Sequence, residues 1–193
     1  MRARLFNAGF VSDAAWAVSR RWQALRLYWY FADKEPWIFV SVLVLIATAF
    51  IFALRATYAR QDERRSVACL ARNVYFEARG EPTAGQVAVA EVTMNRKASG
   101  RYPKTVCGVV YEKNWDPLRG RYVGAFSWTE FDVLPVPAGE QWLQAWEIAE
   151  AVYYGREPPV LEGAMFFHAT YIKPDWARTK KPLARIGGHI FYR

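Results

Sequence analysis

The sequence predicts a mainly helical, α+β protein in which one transmembrane helix precedes a folded domain with a small β element. Three observations carry this prediction. Residues 37–54 form an apolar run without a charge. Apolar residues recur at helical spacing over residues 67–97 and again over 141–154. Two apolar, β-prone segments, 164–171 and 186–192, lie near the C-terminal end.

Length and charge limit the function classes. A chain of 193 residues has room for one ordinary domain and an appendage. The net charge is +8, but residues 1–60 hold eight Lys or Arg against three Asp or Glu, whereas residues 61–193 hold 18 against 15. Because the basic bias lies in front of the domain, we expect no nucleic-acid partner and favour a membrane topology signal.

Residues 1–35 alternate basic and aromatic side chains, as in Arg20-Arg21-Trp22 and Arg26-Leu27-Tyr28. This pattern is typical of an amphipathic helix at a membrane surface. A short cytoplasmic helix without lipid contact is the alternative.

Residues 36–55 are predicted to cross the membrane and to contact lipid. As a helix the apolar run is about 27 Å long, close to the hydrocarbon thickness of a bilayer. Trp37 marks one interface, and Arg55 with Tyr58 marks the other. The long preceding region argues against a cleaved signal peptide. The basic residues in front predict a single-pass inner-membrane protein with its N-terminus inside and its domain in the periplasm or cell-wall space.

Residues 56–65 are predicted to be a polar linker that continues this helix, and the domain to occupy residues 66–193, with Ser66 as a helix N-cap. The apolar stripe that follows leads to Glu77, a carboxylate placed where packing requires an apolar side chain. An acid against apolar surface tends to hold its proton near neutral pH, as a general acid must. The alternative is a surface glutamate paired with Arg72 or Arg79.

Glu81 follows Gly80, a helix-ending residue, and precedes Pro82, a first-turn residue. It is either a second catalytic carboxylate or the cap of the next helix, and we favour the cap. That next helix, about residues 83–97, is rich in small apolar residues and is predicted to be the central buried helix. Glu91 within it requires a partner, such as Arg96 or Asn95.

The remaining segments are assigned more coarsely. Residues 105–111 are a helix or a buried strand, 113–125 a loop, and 141–154 an amphipathic helix. The segments 164–171 and 186–192 are expected to pair as strands.

Residues suited to metal or cofactor chemistry are few. Cys69 and Cys107 form either one disulfide or two buried thiols, and they lack the spacing of a zinc site. His168 and His189 stand in apolar strands, which favours hydrogen-bonded or groove-lining roles over metal binding. Serine-hydrolase and nucleotide-binding motifs are missing from the sequence. We therefore expect neither a metal nor a cofactor.

Several aromatic residues could stack on sugar rings, although core packing accounts for most aromatics in most domains. Two or three of the following are expected to face a ligand: Tyr75, Phe126, Trp128, Tyr171 and Trp176.

Taken in order, several segments resemble the SleB-type cell wall hydrolases, peptidoglycan hydrolases that include spore-cortex-lytic enzymes. The resemblance covers residues 67–193 and leaves the first 65 residues uncovered. The matching segments are residues 69–82 with Glu77-Ala78-Arg79-Gly80-Glu81, residues 85–92 with Asn95-Arg96, Tyr102-Pro103, residues 106–111, Phe126-Ser127-Trp128, residues 167–171, and residues 184–187 with 189–192.

The resemblance implies a lysozyme-like, mainly helical catalytic domain with a small β element beside a groove. It implies lytic transglycosylase activity on the MurNAc–GlcNAc linkage of peptidoglycan, with Glu77 as the single catalytic acid. We expect substrate contacts from Tyr75, Glu81, Ser127, Trp128, His168 and Tyr171. A hydrolytic muramidase, a phage or prophage signal-anchor lysis enzyme, and a non-catalytic wall-binding protein are the alternatives.

The sequence departs from the family pattern around Phe126-Ser127-Trp128. Many relatives carry two further cysteines there, and both are missing from this chain. Their joint loss fits two residues that pair with each other. The resemblance then implies that Cys69 and Cys107 form the other pair.

Overall fold

A computed structural model describes residues 9–31 and 33–193, with side chains from residue 19 onward. The chain divides into two compact units, Met1–Ala56 and Thr57–Arg193. The helices are α1 Gly9–Phe31, α2 Glu35–Ala78, α3 Thr83–Ala98, α4 Val106–Val110 and α5 Gly139–Tyr153. The strands are β1 Lys113–Asp116, β2 Arg121–Gly124, β3 Phe166–Ala169, β4 Pro182–Ile186 and β5 His189–Tyr192. The prediction of a mainly helical protein with small sheets is confirmed.

Helix α2 is unbroken over 44 residues, because its apolar run and the polar residues 56–65 are both free of glycine and proline. Its most apolar window has a mean hydropathy of 2.7 and none of it is buried. By length and composition alone, it is the one helix among the described residues that could cross a membrane. Ser66 lies buried within the helix, so the prediction that it caps a helix start was wrong.

The core of Thr57–Arg193 is built from the last three turns of α2, with α3, α4 and α5 around them. Leu70 and Val74 of α2 and Ala90 of α3 are completely buried in it. Ala145 and Ala149 place the apolar face of α5 against the same cluster, which confirms the predicted amphipathic helix. The close contact of these helices depends on such small side chains.

Two antiparallel sheets complete the domain. Strands β1 and β2 form a hairpin within the segment expected to be a loop, so that expectation was wrong. The other sheet has the order β3-β5-β4. In its register Phe167 faces Phe191 and His168 faces Ile190, which confirms the predicted pairing of the two apolar segments. The adjoining strand β4 was not expected.

Polar residues of α3 hold the chain that leads into β3. Glu91 accepts hydrogen bonds from Val160 N at 2.6 Å and Leu161 N at 2.8 Å. Asn95 donates to Ala164 O, and Arg96 Nε donates to Met165 O. The prediction that Glu91 pairs with Asn95 or Arg96 was therefore wrong, because all three bind backbone groups.

Candidate active site

Glu77 lies one residue before the end of α2, half-buried between the core and a cavity. Its position follows from the helical stripe, which places it one turn after the buried Val74. Ser127 Oγ donates to Glu77 Oε1 at 3.5 Å, from a 3₁₀ helix at Ser127–Glu130. The carboxyl therefore stands between apolar packing on one side and hydrogen-bond donors on the other.

Burial raises the pKa of Glu77 from 4.5 to about 7. The Ser127 hydroxyl, the Arg96 charge and the backbone amides of Ser127 and Trp128 act in the opposite direction, in that order. Because removal from water outweighs all of them, about half of these carboxyls hold a proton at neutral pH. That is the protonation balance of a general acid that must later act as a base.

The cavity beside Glu77 has a volume of about 500 Å³ and is bordered by the C-terminal ends of α2 and α3, the segment after β2, strand β3, the β3–β4 connection and the start of β5. Of the described residues that line it, Glu77 is the one carboxylate. The described residues contain no cluster of three or more His, Cys, Asp or Glu that could hold a metal ion. The lining residues are Phe76, Glu77, Arg96, Ala125, Phe126, Ser127, Phe167, His168, Ala169, Tyr171, Ile172, Pro174, Trp176 and His189.

Arg96 supplies a buried positive charge to this cavity. Its guanidinium carbon lies 5.1 Å from the ring centre of Phe126 and 5.4 Å from that of Tyr102. Burial lowers the pKa of Arg96, and nearby Tyr102, Glu112 and Glu77 oppose that shift. The aromatic faces and the hydrogen bond to Met165 O compensate the charge for its lost hydration.

Three of the predicted substrate-contacting residues, Ser127, His168 and Tyr171, line the cavity. Tyr171 is 88% exposed at its edge. Among the other aromatics proposed for stacking, Phe126 and Trp176 also line it.

Tyr75 and Trp128 are core residues, which corrects their assignment to sugar stacking. Tyr75 is 6% exposed and meets Trp142 edge-on, with ring centres 5.9 Å apart. Trp128 is 5% exposed, stacks on Phe76 and donates from Nε1 to Asn73 Oδ1 at 2.9 Å. Their aromatic faces are thus occupied by protein.

Glu81 neither caps α3 nor lines the cavity directly, so the capping prediction was wrong. Pro82 precedes the first residue of α3, and the Glu81 carboxylate turns to the β4–β5 connection instead. Its Oε2 accepts a hydrogen bond from Gly188 N at 2.7 Å. Its Oε1 lies 3.6 Å from His189 Nδ1.

His189 lines the cavity, as its predicted groove-lining role allows, although it was not among the residues expected to contact substrate. Gly187 and His189 both belong to segments that carry the family resemblance, and the pair Gly187-Gly188 indicates a close approach of the backbone. Its neighbour in the fold, Glu81, is more than 100 residues away in sequence, so the sequence does not show that the two residues meet.

The structure joins Cys69 of α2 and Cys107 of α4 in a disulfide that closes a loop across 38 positions. The bond ties α4 to the same helix that carries Glu77, two turns before it.

Comparison with known proteins assigns the family. The sequence model described as Cell Wall Hydrolase matches residues 80–192, which is more than half of the chain. The chain belongs to the cell wall hydrolase family. The resemblance seen in the sequence is thereby confirmed, although the matched range begins three residues after Glu77 and leaves its role to the geometry.

Curated relatives of this cell wall hydrolase are spore cortex-lytic enzymes. That of Oceanobacillus iheyensis is 34% identical over 137 residues, which are 69% of this chain and 42% of the relative. That of Bacillus subtilis is 37% identical over 125 residues, 63% of this chain and 35% of the relative. The chain thus spans less than half the length of these relatives.

Solved structures show the same fold. The catalytic domain of the Bacillus cereus SleB protein matches with a TM-score of 0.52 and 29% identity, over 67% of this chain and 91% of that one. The catalytic domain of the germination-specific lytic transglycosylase SleB of Bacillus anthracis matches with a TM-score of 0.50 and 28% identity, over 66% and 93%. About two thirds of this hydrolase therefore has the fold of a SleB catalytic domain.

Proposed function

We propose that this cell wall hydrolase is a membrane-anchored lytic transglycosylase that cleaves the MurNAc–GlcNAc linkage of peptidoglycan, with Glu77 as its catalytic acid. The observation that carries the proposal is the half-buried Glu77 carboxyl, with a pKa of about 7, at the wall of a cavity. The Bacillus anthracis protein with a similar catalytic domain is a germination-specific lytic transglycosylase, which agrees with this proposal.

The chemistry needs one carboxyl in two successive roles. Glu77 donates its proton to the glycosidic oxygen, and the bond from that oxygen to the MurNAc anomeric carbon breaks. The resulting carboxylate then takes the proton of the MurNAc C6 hydroxyl as that oxygen bonds to the same carbon, which closes a 1,6-anhydro ring. Glu77 thus regains the proton that it gave up, so one carboxyl is enough for both steps. This agrees with the one carboxylate among the described residues that line the cavity.

The neighbours of Glu77 support both roles. The Ser127 hydroxyl points a donor at Glu77 Oε1, which stabilises the carboxylate after proton transfer. The positive charge of Arg96 acts in the same direction. The apolar packing favours the protonated form before the transfer, so the two influences keep the two forms close in free energy.

The test is digestion of purified sacculi by the full chain in detergent micelles, followed by mass spectrometry of the soluble products. We expect 1,6-anhydro muropeptides from the wild type and none from Glu77→Gln. Glu147→Gln, an exposed carboxylate on α5, is the matched control and should release products at the wild-type rate. Products with reducing ends, one water heavier, would identify a muramidase, and sacculus binding without release a non-catalytic wall-binding protein.

The anchor is a second part of the proposal. We assign residues 36–55 to a membrane span, residues 1–35 to a cytoplasmic or interfacial segment, 56–65 to a linker and 66–193 to the catalytic domain. The exposed, strongly apolar first half of α2 supports this division. A single-pass location in the inner membrane would hold the domain beside its polymeric substrate. A prophage signal-anchor lysis enzyme would share the same chemistry.

Topology is tested in two steps. Carbonate extraction should leave the full chain in the membrane and release a variant that lacks residues 1–55. In spheroplasts, added trypsin should digest the domain, which exposes many lysines and arginines, while an intact outer membrane should protect it. A domain that is protected in spheroplasts would reverse the proposed orientation.

A further inference from the structure

The two histidines of the chain line the same cavity but differ in their partners. His168 Nδ1 lies 2.9 Å from Ala169 O, and its Nε2 lies 2.9 Å from the Tyr192 hydroxyl. A carbonyl oxygen can only accept, so His168 Nδ1 carries the proton and Nε2 accepts from the hydroxyl. Both nitrogens of His168 are therefore engaged within the protein.

His189 is 8% exposed, and its Nδ1 is buried without a hydrogen-bond partner among the residues that the structure describes. The nearest charged atom is Glu81 Oε1, at 3.6 Å. The ring is held edge-on by Phe167, with centres 5.2 Å apart. Buried polar atoms usually have hydrogen-bond partners, so the burial of this nitrogen without one requires an explanation.

Glu81 is fixed in place by the turn that precedes His189. Gly188 N donates to its Oε2 at 2.7 Å. A Cβ atom at Gly187 would overlap the Glu81 carboxylate, and Gly187 has a φ of +53°, which favours glycine. The two glycines thus let the backbone approach the carboxylate, whose other oxygen faces His189.

This geometry selects one tautomer of His189. A carboxylate beside Nδ1 favours a proton on that nitrogen, as in other carboxylate–histidine pairs. The second ring nitrogen, Nε2, lies on the opposite side of the ring and carries a lone pair. Because Nδ1 faces Glu81 and His189 lines the cavity, Nε2 is the ring nitrogen left for a ligand there.

We propose that His189 is a further substrate-contacting residue of the cavity, whose Nε2 accepts a hydrogen bond from a hydroxyl of the glycan strand, and that Glu81 is the positioning residue that sets its tautomer. This inference rests on the proposed function for the identity of the ligand. The expected ligand is a polyhydroxylated sugar. Its hydroxyl groups can donate to a neutral acceptor that shares the cavity with a carboxyl and a serine.

The charge state of His189 agrees with an acceptor. Burial lowers the pKa of His189, Glu81 raises it, and His168 on the neighbouring strand lowers it. Glu77 and Arg96 line the same cavity from α2 and α3. The neutral ring at physiological pH accepts at Nε2, whereas protonation at lower pH turns Nε2 into a donor and removes the contact.

The first experiment is ¹⁵N NMR of the full chain in micelles with labelled histidine, assigned by His189→Gln. Nitrogen shifts distinguish the two neutral tautomers. We expect His189 to carry its proton on Nδ1 at pH 7.5, and its titration midpoint to move to lower pH in Glu81→Gln but not in Glu147→Gln. A proton on Nε2, or an unchanged midpoint in Glu81→Gln, would overturn the role of Glu81.

Ligand contact is tested in the Glu77→Gln background with a GlcNAc–MurNAc tetrasaccharide. The His189 Nε2 resonance should shift on saturation, and an unmoved resonance while other signals report binding refutes the contact. If the tetrasaccharide does not bind and the wild type releases no muropeptide, the proposed function fails, whereas the tautomer and the titration still decide whether Glu81 sets His189.

Kinetics separate a hydrogen bond from a structural role. The amide oxygen of glutamine reaches the place of Nε2, whereas that of asparagine does not. We expect His189→Asn to lower kcat/KM for sacculi about three- to tenfold, the value of one neutral hydrogen bond, and His189→Gln to restore most of it. Equal losses in both variants at equal thermal stability would refute the proposal.

Discussion

The protonation of Glu77 makes folding stability depend on pH in a way that one substitution removes. In the unfolded chain its carboxyl has the ordinary pKa of 4.5, whereas burial raises the folded value to about 7. Below pH 4.5 both states hold the proton. Between the two values the unfolded carboxyl ionises while the folded one stays protonated, so rising pH favours the unfolded state until the folded carboxyl ionises as well.

The size of this effect follows from the shift. Each pKa unit corresponds to about 1.4 kcal/mol, so the wild type should lose about 3 kcal/mol of unfolding free energy relative to Glu77→Gln between pH 4 and pH 8. The amide of glutamine does not titrate and has nearly the same shape. The difference between the two proteins therefore isolates Glu77 from the other ionisable groups.

The assay is urea unfolding in dodecylmaltoside micelles, followed by the fluorescence of the nine tryptophans. Unfolding curves are measured at intervals from pH 4 to pH 8 for the wild type, Glu77→Gln and Glu147→Gln. The exposed Glu147 should give a difference from wild type that stays flat. If the difference in unfolding free energy between the wild type and Glu77→Gln were also independent of pH, burial would not raise the pKa of Glu77. Its assignment as a general acid would then be refuted.

Three further changes test separate parts of the domain. Ser127→Ala removes a hydroxyl that lowers the pKa of Glu77, so the alkaline limb of the pH–rate profile should move to higher pH. Gly187→Ala should reduce the unfolding free energy in urea by at least about 1–2 kcal/mol, because its φ of +53° strains an L-residue and the new methyl group meets a carboxylate. Joint replacement of Cys69 and Cys107 by serine should cost about 4 kcal/mol, as expected for a loop across 38 positions, measured by urea unfolding.

Each of these changes has a matched comparison. Gly80→Ala introduces the same methyl group where nothing lies within 4 Å, and should leave stability nearly unchanged. Reductant should destabilise the wild type and leave the double serine variant unaffected, and equal responses would argue against a disulfide. A Ser127→Ala profile that moves to lower pH would contradict the hydrogen bond to the carboxyl.

The helices could be predicted because their signals are local. A stripe of apolar residues at a period of 3.6 reports which face is buried, and it placed Glu77 on the buried face of its helix. The same geometry excludes Tyr75 from the cavity, since two residues along a helix turn a side chain about 200° around the axis. The helical period alone therefore places Tyr75 on the side of α2 opposite Glu77.

The hairpin of β1 and β2 escaped prediction for a different reason. Its strands are four residues long, mostly exposed and begin or end on charged residues, so they lack the alternation of a half-buried sheet. The location of Trp128 likewise could not be predicted, because the sequence does not distinguish a tryptophan in a groove from one in a core. Only its hydrogen bond to Asn73 and its stacking on Phe76 decide for the core.

The sequence by itself determined the long helices, the apolar run and the place of Glu77 on the apolar stripe of its helix, because each of these depends on residues that are near one another in the chain. Only the tertiary structure decided what surrounds that carboxyl. Arg96, Ser127 and His189 reach the cavity from three distant segments, and Glu81 meets His189 across more than 100 residues. Burial and hydrogen bonding arise from such long-range contacts, and they are what sets the protonation of Glu77.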